Sequence, residues 1–487
     1  MRELIAIVVA VGVVAGMPMR AAAETANDQR LRRLEETVRK QQEELQDLHK
    51  ALKQQNAIGQ ATQKQAEQAA ESAEAAKTAT GDATKKMASL PDWLNKTTVF
   101  GDVRARHEGF YNQPTVKGTP IGARNRERVR ARLGVRFALN DELSATIRGA
   151  SGNINDPIST NETLTGNFNR KNFNLDWAFL TLAPGKTFGW RPGVASITAG
   201  KFPLPQFKVG ELVFDEDVSG EGVAETFQLL GEPLGMVDQI KVHAMQLTFS
   251  EVSNAQDGWM FGGQLNPSFH FGNVQLEAGM GQFWWLNPDL IATSLSRNTT
   301  AFTSSGAPVT NSGFNSALVN TNLLVNQTIQ PPTPTGGKKP ASFSAITGYQ
   351  SAFNESNVTL GATIPNVVAS QPLRMFFDYV YNWDAINDDA HGYQAGLKLG
   401  QTKTRGDWAV TAFYERLEQE AVISSFTASD FGNGGTNLQG PVFSLDYQLL
   451  NPLTLTARTF FTNFLNRAPD QKNPTQARLQ LDAIVRF

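Results

Sequence analysis

The chain has 487 residues, no cysteine and a formal net charge of −2, with a mean hydropathy of −0.30. Near-neutral charge argues against a nucleic-acid partner, and the missing cysteines leave no disulfide framework. Past the N-terminus no apolar run reaches the roughly 20 residues that a spanning helix needs, so a membrane reading requires strands.

The first 23 residues read as a secretory signal peptide. Arg2 supplies a basic start diluted by Glu3, Leu4 to Gly16 is apolar, and Ala21-Ala22-Ala23 offers small residues for cleavage before Glu24. Residues 24–90 read as an α-helical coiled coil. Leu31, Val38, Leu45 and Leu52 repeat at one heptad core position, and Leu34, Gln41, Leu48 and Gln55 at the other. Ala66, Ala69, Ala73, Ala76 and Ala83 continue the frame to Met87, though Gly59 and the alanine-rich half weaken it. Helical throughout, Leu31 to Met87 would reach roughly 85 Å. One helix cannot bury such a stripe, so homotypic association is expected; the alternative is a solvated, partly helical linker. Pro91 then breaks the helix, and Trp93 suits a membrane interface.

From Thr97 the period changes to two. About 97–110, Val99, Val103 and Ala105 alternate with Asp102, Arg104, Arg106 and Glu108. About 125–139, Val129, Ala131, Leu133, Val135, Phe137 and Leu139 alternate with Arg128, Arg130, Arg132 and Arg136. Apolar faces recur at Phe173 to Phe179, Leu373 to Tyr381, Tyr393 to Leu399 and Leu453 to Phe461. Short connections fall near 140, 184–192, 231–237, 271–273, 366–371, 401–405 and 450–452. Long ones fall near 111–124, 151–172, 202–221, 251–257, 286–352, 384–389, 419–439 and 466–475. Seven turns and eight loops join sixteen strands. The pattern predicts an all-β fold over 95–487: a transmembrane antiparallel β-barrel with an apolar face on lipid and a polar face on a water-filled lumen. Short turns and both barrel ends would lie in the periplasm, with the coiled coil. A soluble sandwich or propeller is the competing architecture, and no blade-length repeat supports the latter.

The last twelve residues alternate Val485, Ala483, Leu481 and Leu479 with Arg486, Ile484, Asp482, Gln480 and Arg478, ending at Phe487. A final strand closing on Phe resembles the signal read by the outer-membrane assembly machinery.

A family resemblance sits on Ala199-Gly200-Lys201-Phe202-Pro203, then Glu211-Leu212-Val213-Phe214-Asp215-Glu216-Asp217, then Glu221-Gly222-Val223-Ala224. This resembles the "putative porin" family of Gram-negative outer membranes, over residues 95–487. The resemblance implies passive diffusion of small hydrophilic solutes and ions, outer-membrane lipid as surroundings, and a homotrimer. It also implies that the third long loop, 202–221, folds inward, with Glu211, Asp215, Glu216, Asp217 and Glu221 as one wall of a constriction. The lumen face of the first strands supplies an opposing basic wall: Arg104, Arg106, Arg128, Arg130, Arg132 and Arg136, with Arg148 on the third strand. Opposed walls of this kind set up a transverse field. The alternatives are ordinary lumenal ion pairs for the arginines, and a solvated or Ca²⁺-binding surface loop for the carboxylates.

Catalytic signals are weak. His49, His107, His243, His270 and His391 lie in no metal-binding spacing, and there is no Gly-x-Ser-x-Gly. No cofactor, metal or enzymatic activity is expected. The rival functions are a structural anchor whose coiled coil tethers the envelope to the cell wall, and an outer-membrane enzyme.

Overall fold

A computed structural model describes residues 96–487, apart from 115–119, 254, 303–306, 334–338, 340 and 468–470, and a few isolated helical positions before residue 91. The expected signal peptide and coiled coil lie outside the described residues. Residues 1–91 and 92–487 form separate units.

Sixteen long strands follow one another. They are β1 Thr97–Tyr111, β2 Arg124–Ala138, β3 Leu143–Ser151, β4 Phe173–Leu182, β5 Ala195–Pro203, β6 Ser219–Gln228, β7 Val237–Ser250 and β8 Gly258–Phe271. They continue with β9 Val274–Leu286, β10 Asn354–Val368, β11 Gln371–Asn382, β12 His391–Gly400, β13 Trp408–Leu417, β14 Leu438–Leu450, β15 Leu453–Phe464 and β16 Gln476–Arg486. Every strand pairs antiparallel with its neighbours in sequence, and β1 closes the sheet on β16 with Val103 opposite Val485 and Arg106 opposite Asp482. A two-residue piece, Glu162–Thr163, pairs with β2 inside the same sheet. The predicted strands and the alternation of short and long connections are therefore present.

The alternation of side chains explains closure. Val103 is 47% exposed and Leu133 49%, whereas Arg106 is 3% and Glu108 0% exposed. This inverts a soluble protein: apolar residues face outward and charged ones inward, as a lipid-embedded barrel requires. Exposed aromatics mark both rims, with Trp284 and Trp383 at the long-loop end and Trp190, Phe271 and Phe487 at the short-turn end. The final residue completes the seam, since the Phe487 N–H donates to Gly101 O (3.1 Å) and the Gly101 N–H to Phe487 O (3.0 Å).

The glycines of the family-like motif have a backbone role. Gly200 and Gly222 are cross-strand partners, and both adopt positive φ (124° and 145°). A Cβ on Gly222 would lie 2.1 Å from Gln246 O, so no other residue fits this tight stretch of the β5–β6–β7 sheet.

The interior departs from a uniformly polar lumen. The loop between β5 and β6 crosses it: the Phe207 N–H donates to Gln264 Oε1 of β8 (2.7 Å), and Gln264 Nε2 donates back to Phe207 O (2.9 Å). Gly210 lies so close to β12 that a Cβ would meet Gln394 Oε1 at 1.8 Å. The loop between β13 and β14, residues 418–437, also packs inward, burying Ala421, Val422, Ile423 and Phe431. With Phe214, Met245, Phe283, Trp285 and Phe353 these loops build an apolar cluster inside the barrel on the β7–β11 side. Trp285 and Phe426 stack within it, 5.4 Å apart and 3° from parallel.

Candidate functional site

The remaining interior, along β1, β2 and β16, is where charge concentrates. Period two places Asp102, Arg104, Arg106 and Glu108 on one face of β1, and the register sets Arg104 opposite Arg130 and Arg106 opposite Arg128. Like charges directly opposite repel, so the arrangement needs counter-charges. Asp102 accepts from Arg130 Nε (2.8 Å) and Arg132 Nε (2.6 Å). Asp482 of β16 takes a two-point bond from Arg106 (2.7 and 2.8 Å). Glu108 accepts from Arg126 and Arg478.

The inward loops complete the site. Asp217 accepts from Arg132 Nη1 (3.2 Å) and from the N–H and hydroxyl of Thr160 (both 3.1 Å). Asp215 accepts from the Asp217 N–H (2.8 Å) and from the Ser429 N–H (2.7 Å), which clasps one inward loop to the other. Glu211 accepts from the Glu216 N–H (3.0 Å). From the second loop Asp430 accepts from Arg106 Nη1 (3.0 Å) and Arg478 Nη2 (2.7 Å).

Burial and neighbours then set the ionisation of the loop carboxyls. Burial is the largest cause pushing Glu211 up, to about 7, and Glu216 and Asp430 add to it. Asp215 is held well above the ordinary carboxylate range by burial and by Glu211 and Asp217. Burial would also raise Asp430, but Arg106, Arg478 and Arg104 outweigh it and hold the group well below that range.

Two cavities flank the crossing loop. A polar one of about 230 Å³ has Arg104, Arg106 and Arg130 on one side, with Glu211, Asp215, Glu216, Asp217 and Asp430 across from them. A larger one of about 490 Å³ opens among the long loops, with Asn155, Thr160 and Asp176 opposite Phe249, Trp285 and Phe426. Asp217 borders both. Asp217, held by Arg132 and Thr160, is therefore the residue that the two cavities share.

The twelve residues expected to form the two walls separate unevenly. Arg104, Arg106 and Arg130 meet Glu211, Asp215, Glu216 and Asp217 around one cavity, and Arg132 reaches Asp217. Arg128 leans on Ser159 and the Asn161 carbonyl instead. Arg148 pairs with Asp176 (2.5 Å) over the Trp177 ring. Arg136 stands exposed toward the short-turn end and Glu221 pairs with Lys201 (2.6 Å) across β5 and β6, so neither belongs to the opposed walls. The basic row is mostly ion-paired rather than bare. Sequence reasoning missed Asp430 and the inward packing of its loop. The available signal was Ala421-Val422-Ile423 within a long polar connection, an apolar run that water would not tolerate there.

The family model described as "putative porin" matches residues 111–487. No curated protein matches the sequence. Among solved structures, OprB of Pseudomonas putida is similar at 12% identity, with 81% of this chain and 96% of that chain covered and a TM-score of 0.46. The anion-selective porin of Comamonas acidovorans is similar at 12% identity, covering 80% and 99%, with a TM-score of 0.43. OmpF of Salmonella typhi, solved with daunomycin, is similar at 10% identity, covering 82% and 99%, with a TM-score of 0.42.

Proposed function

The chain belongs to the "putative porin" family, and from that premise we propose that it passes small hydrophilic solutes and ions passively through the bacterial outer membrane. One observation carries the reading: a barrel with apolar residues outside holds, between its charged inner wall and a crossing acidic loop, a polar cavity that meets a second cavity at Asp217. The basic and acidic sides give a transverse field that orients dipolar solutes. No step requires a cofactor or an energy source.

In this reading the short turns and both barrel ends face the periplasm, and three copies associate. The heptad pattern of residues 24–90 supports a periplasmic coiled coil joining them, downstream of a cleaved signal peptide.

Planar-bilayer recording of the purified protein in a salt gradient tests the proposal. Stepwise conductance with an ohmic open state is expected. A correctly folded, heat-modifiable barrel that passes no current would instead make it a plugged structural anchor.

A further inference from the structure

The lumenal ion pairs do not balance. One group, Asp102 and Asp217 with Arg130 and Arg132, is neutral. A second holds Arg106, Arg126, Arg128 and Arg478 on Asp430, Asp482 and Glu108, four guanidiniums on three carboxylates. Its weakest pair is Arg128 with Glu108, at 3.8 Å, and Glu108 is shared with two other arginines. Arg104 belongs to neither group. It is 8% exposed and donates to Asn161 Oδ1 (2.5 Å), with no carboxylate at ion-pairing distance among the described residues. Asp430 and Asp482 act on it at longer range, but Arg106 holds both.

The hydrogen bonds tell the same story independently. The Nε–H groups of Arg104 and Arg128 are buried without an acceptor. Arg128 Nη2 reaches only neutral oxygens, Ser159 Oγ at 3.3 Å and Asn161 O at 3.4 Å. Water could accept from these groups but would leave Arg104 with no carboxylate at ion-pairing distance and Arg128 with only its shared 3.8 Å contact to Glu108. An oxyanion supplies both charge and several acceptor lone pairs, matched to the guanidinium fork. Arg104 and Asn161 border the inner cavity and Ser159 the outer one, so the place is reached from the two cavities.

We propose that Arg104 and Arg128, with Ser159 and Asn161, bind the oxyanion group of a small solute, a carboxylate or a phosphate. As a stop on a transit route the site rests on the porin reading; as a binding site it does not.

The test uses the full-length protein and two probes, inorganic phosphate and succinate, at ionic strength matched with chloride. Both probes should raise the melting midpoint of the wild-type barrel in detergent. Arg104→Gln should weaken that dependence about tenfold, and Arg104→Gln with Arg128→Gln should abolish it. Arg104→Lys, which keeps the charge and loses the fork, should fall between. Removing a buried charge that has no ion-pair partner should leave the ligand-free barrel at least as stable as wild type. If these variants do not insert, Ser159→Ala with Asn161→Ala alters the loop side of the site and should weaken the dependence as well. In bilayers either probe should block chloride current, at about tenfold higher concentration for Arg104→Gln. Equal shifts in wild type and all variants, or equal shifts with chloride, overturn the site. A conducting channel with no probe dependence overturns the site and keeps the porin. A silent barrel with Arg104-dependent melting keeps the site and overturns the porin.

Discussion

Asp430 and Glu211 sit on facing inward loops and respond to pH in opposite senses. Asp430 is depressed by Arg106, Arg478 and Arg104 against the effect of its own burial. A depressed folded-state value stabilises above the unfolded carboxyl value and is lost only as pH falls through the folded one, so the docking of loop 418–437 should persist well into acid. Asp430→Asn removes the charge but leaves Arg106 on Asp482 and Arg478 on Glu108. The expected cost is therefore about 1.5–3 kcal/mol, that of a hydrogen bond to a charged group, rather than the about 3–5 kcal/mol of stranding a buried charge. Denaturant unfolding of the detergent-solubilised barrel measures it, and no change would mean the aspartate is idle. Glu211 is raised by burial, Glu216 and Asp430, to about 7. A raised value stabilises below the unfolded carboxyl value and fades as pH rises through the folded one. The crossing loop should thus loosen as pH rises from about 4.5 to about 7, seen as faster hydrogen exchange at the Asp217 and Ser429 amides that Asp215 holds. Glu211→Gln should flatten this dependence; an unchanged slope would assign it to Asp215.

At the scale of the element, the seam between β1 and β16 is the point where closure succeeds or fails. Phe487 gives and takes a backbone bond at Gly101, and its ring lies 3.0 Å from where a Cβ on Gly101 would be. Deleting Phe487 removes both bonds and an apolar side chain from the lipid face. Poor insertion is expected, read as loss of heat-modifiable barrel; normal amounts would show that the strand closes without it. The strands were legible because a period of two survives in sequence wherever one face meets lipid and the other water. The inward loops were legible only in part. The acidic segment 211–217 carries its charge locally and resembles a known motif. Asp430, by contrast, owes its role to Arg106 and Arg478, which are 324 and 48 residues away along the chain. Nothing local to 418–437 specifies that pairing, and ion-pair partners on a closed sheet follow from register, which only the closed sheet reveals.

For the whole molecule, the interior is divided rather than open. Apolar loop segments fill the β7–β11 side around Trp285 and Phe353, and the polar cavity lies against β1, β2 and β16. The proposed route is therefore confined to the charged side, between guanidiniums and carboxylates. Two consequences separate experimentally. Replacing residues 419–436 with a short Gly-Ser connector should empty part of the apolar filling, and single-channel conductance should rise roughly twofold or more as the route widens. The same change removes Asp430, so Arg106 and Arg478 lose a counter-charge and the reversal potential should move toward anions. Asp430→Asn alone should produce the shift in selectivity with little change in conductance, because its side-chain volume is nearly kept. Both selectivity shifts should shrink at high salt, as the screening length falls from about 10 Å at 0.1 M to about 3 Å at 1 M. A connector variant that folds as a heat-modifiable barrel yet keeps wild-type conductance would show that loop 418–437 does not limit the route. The crossing loop at Asp217 would then be the sole determinant of its width.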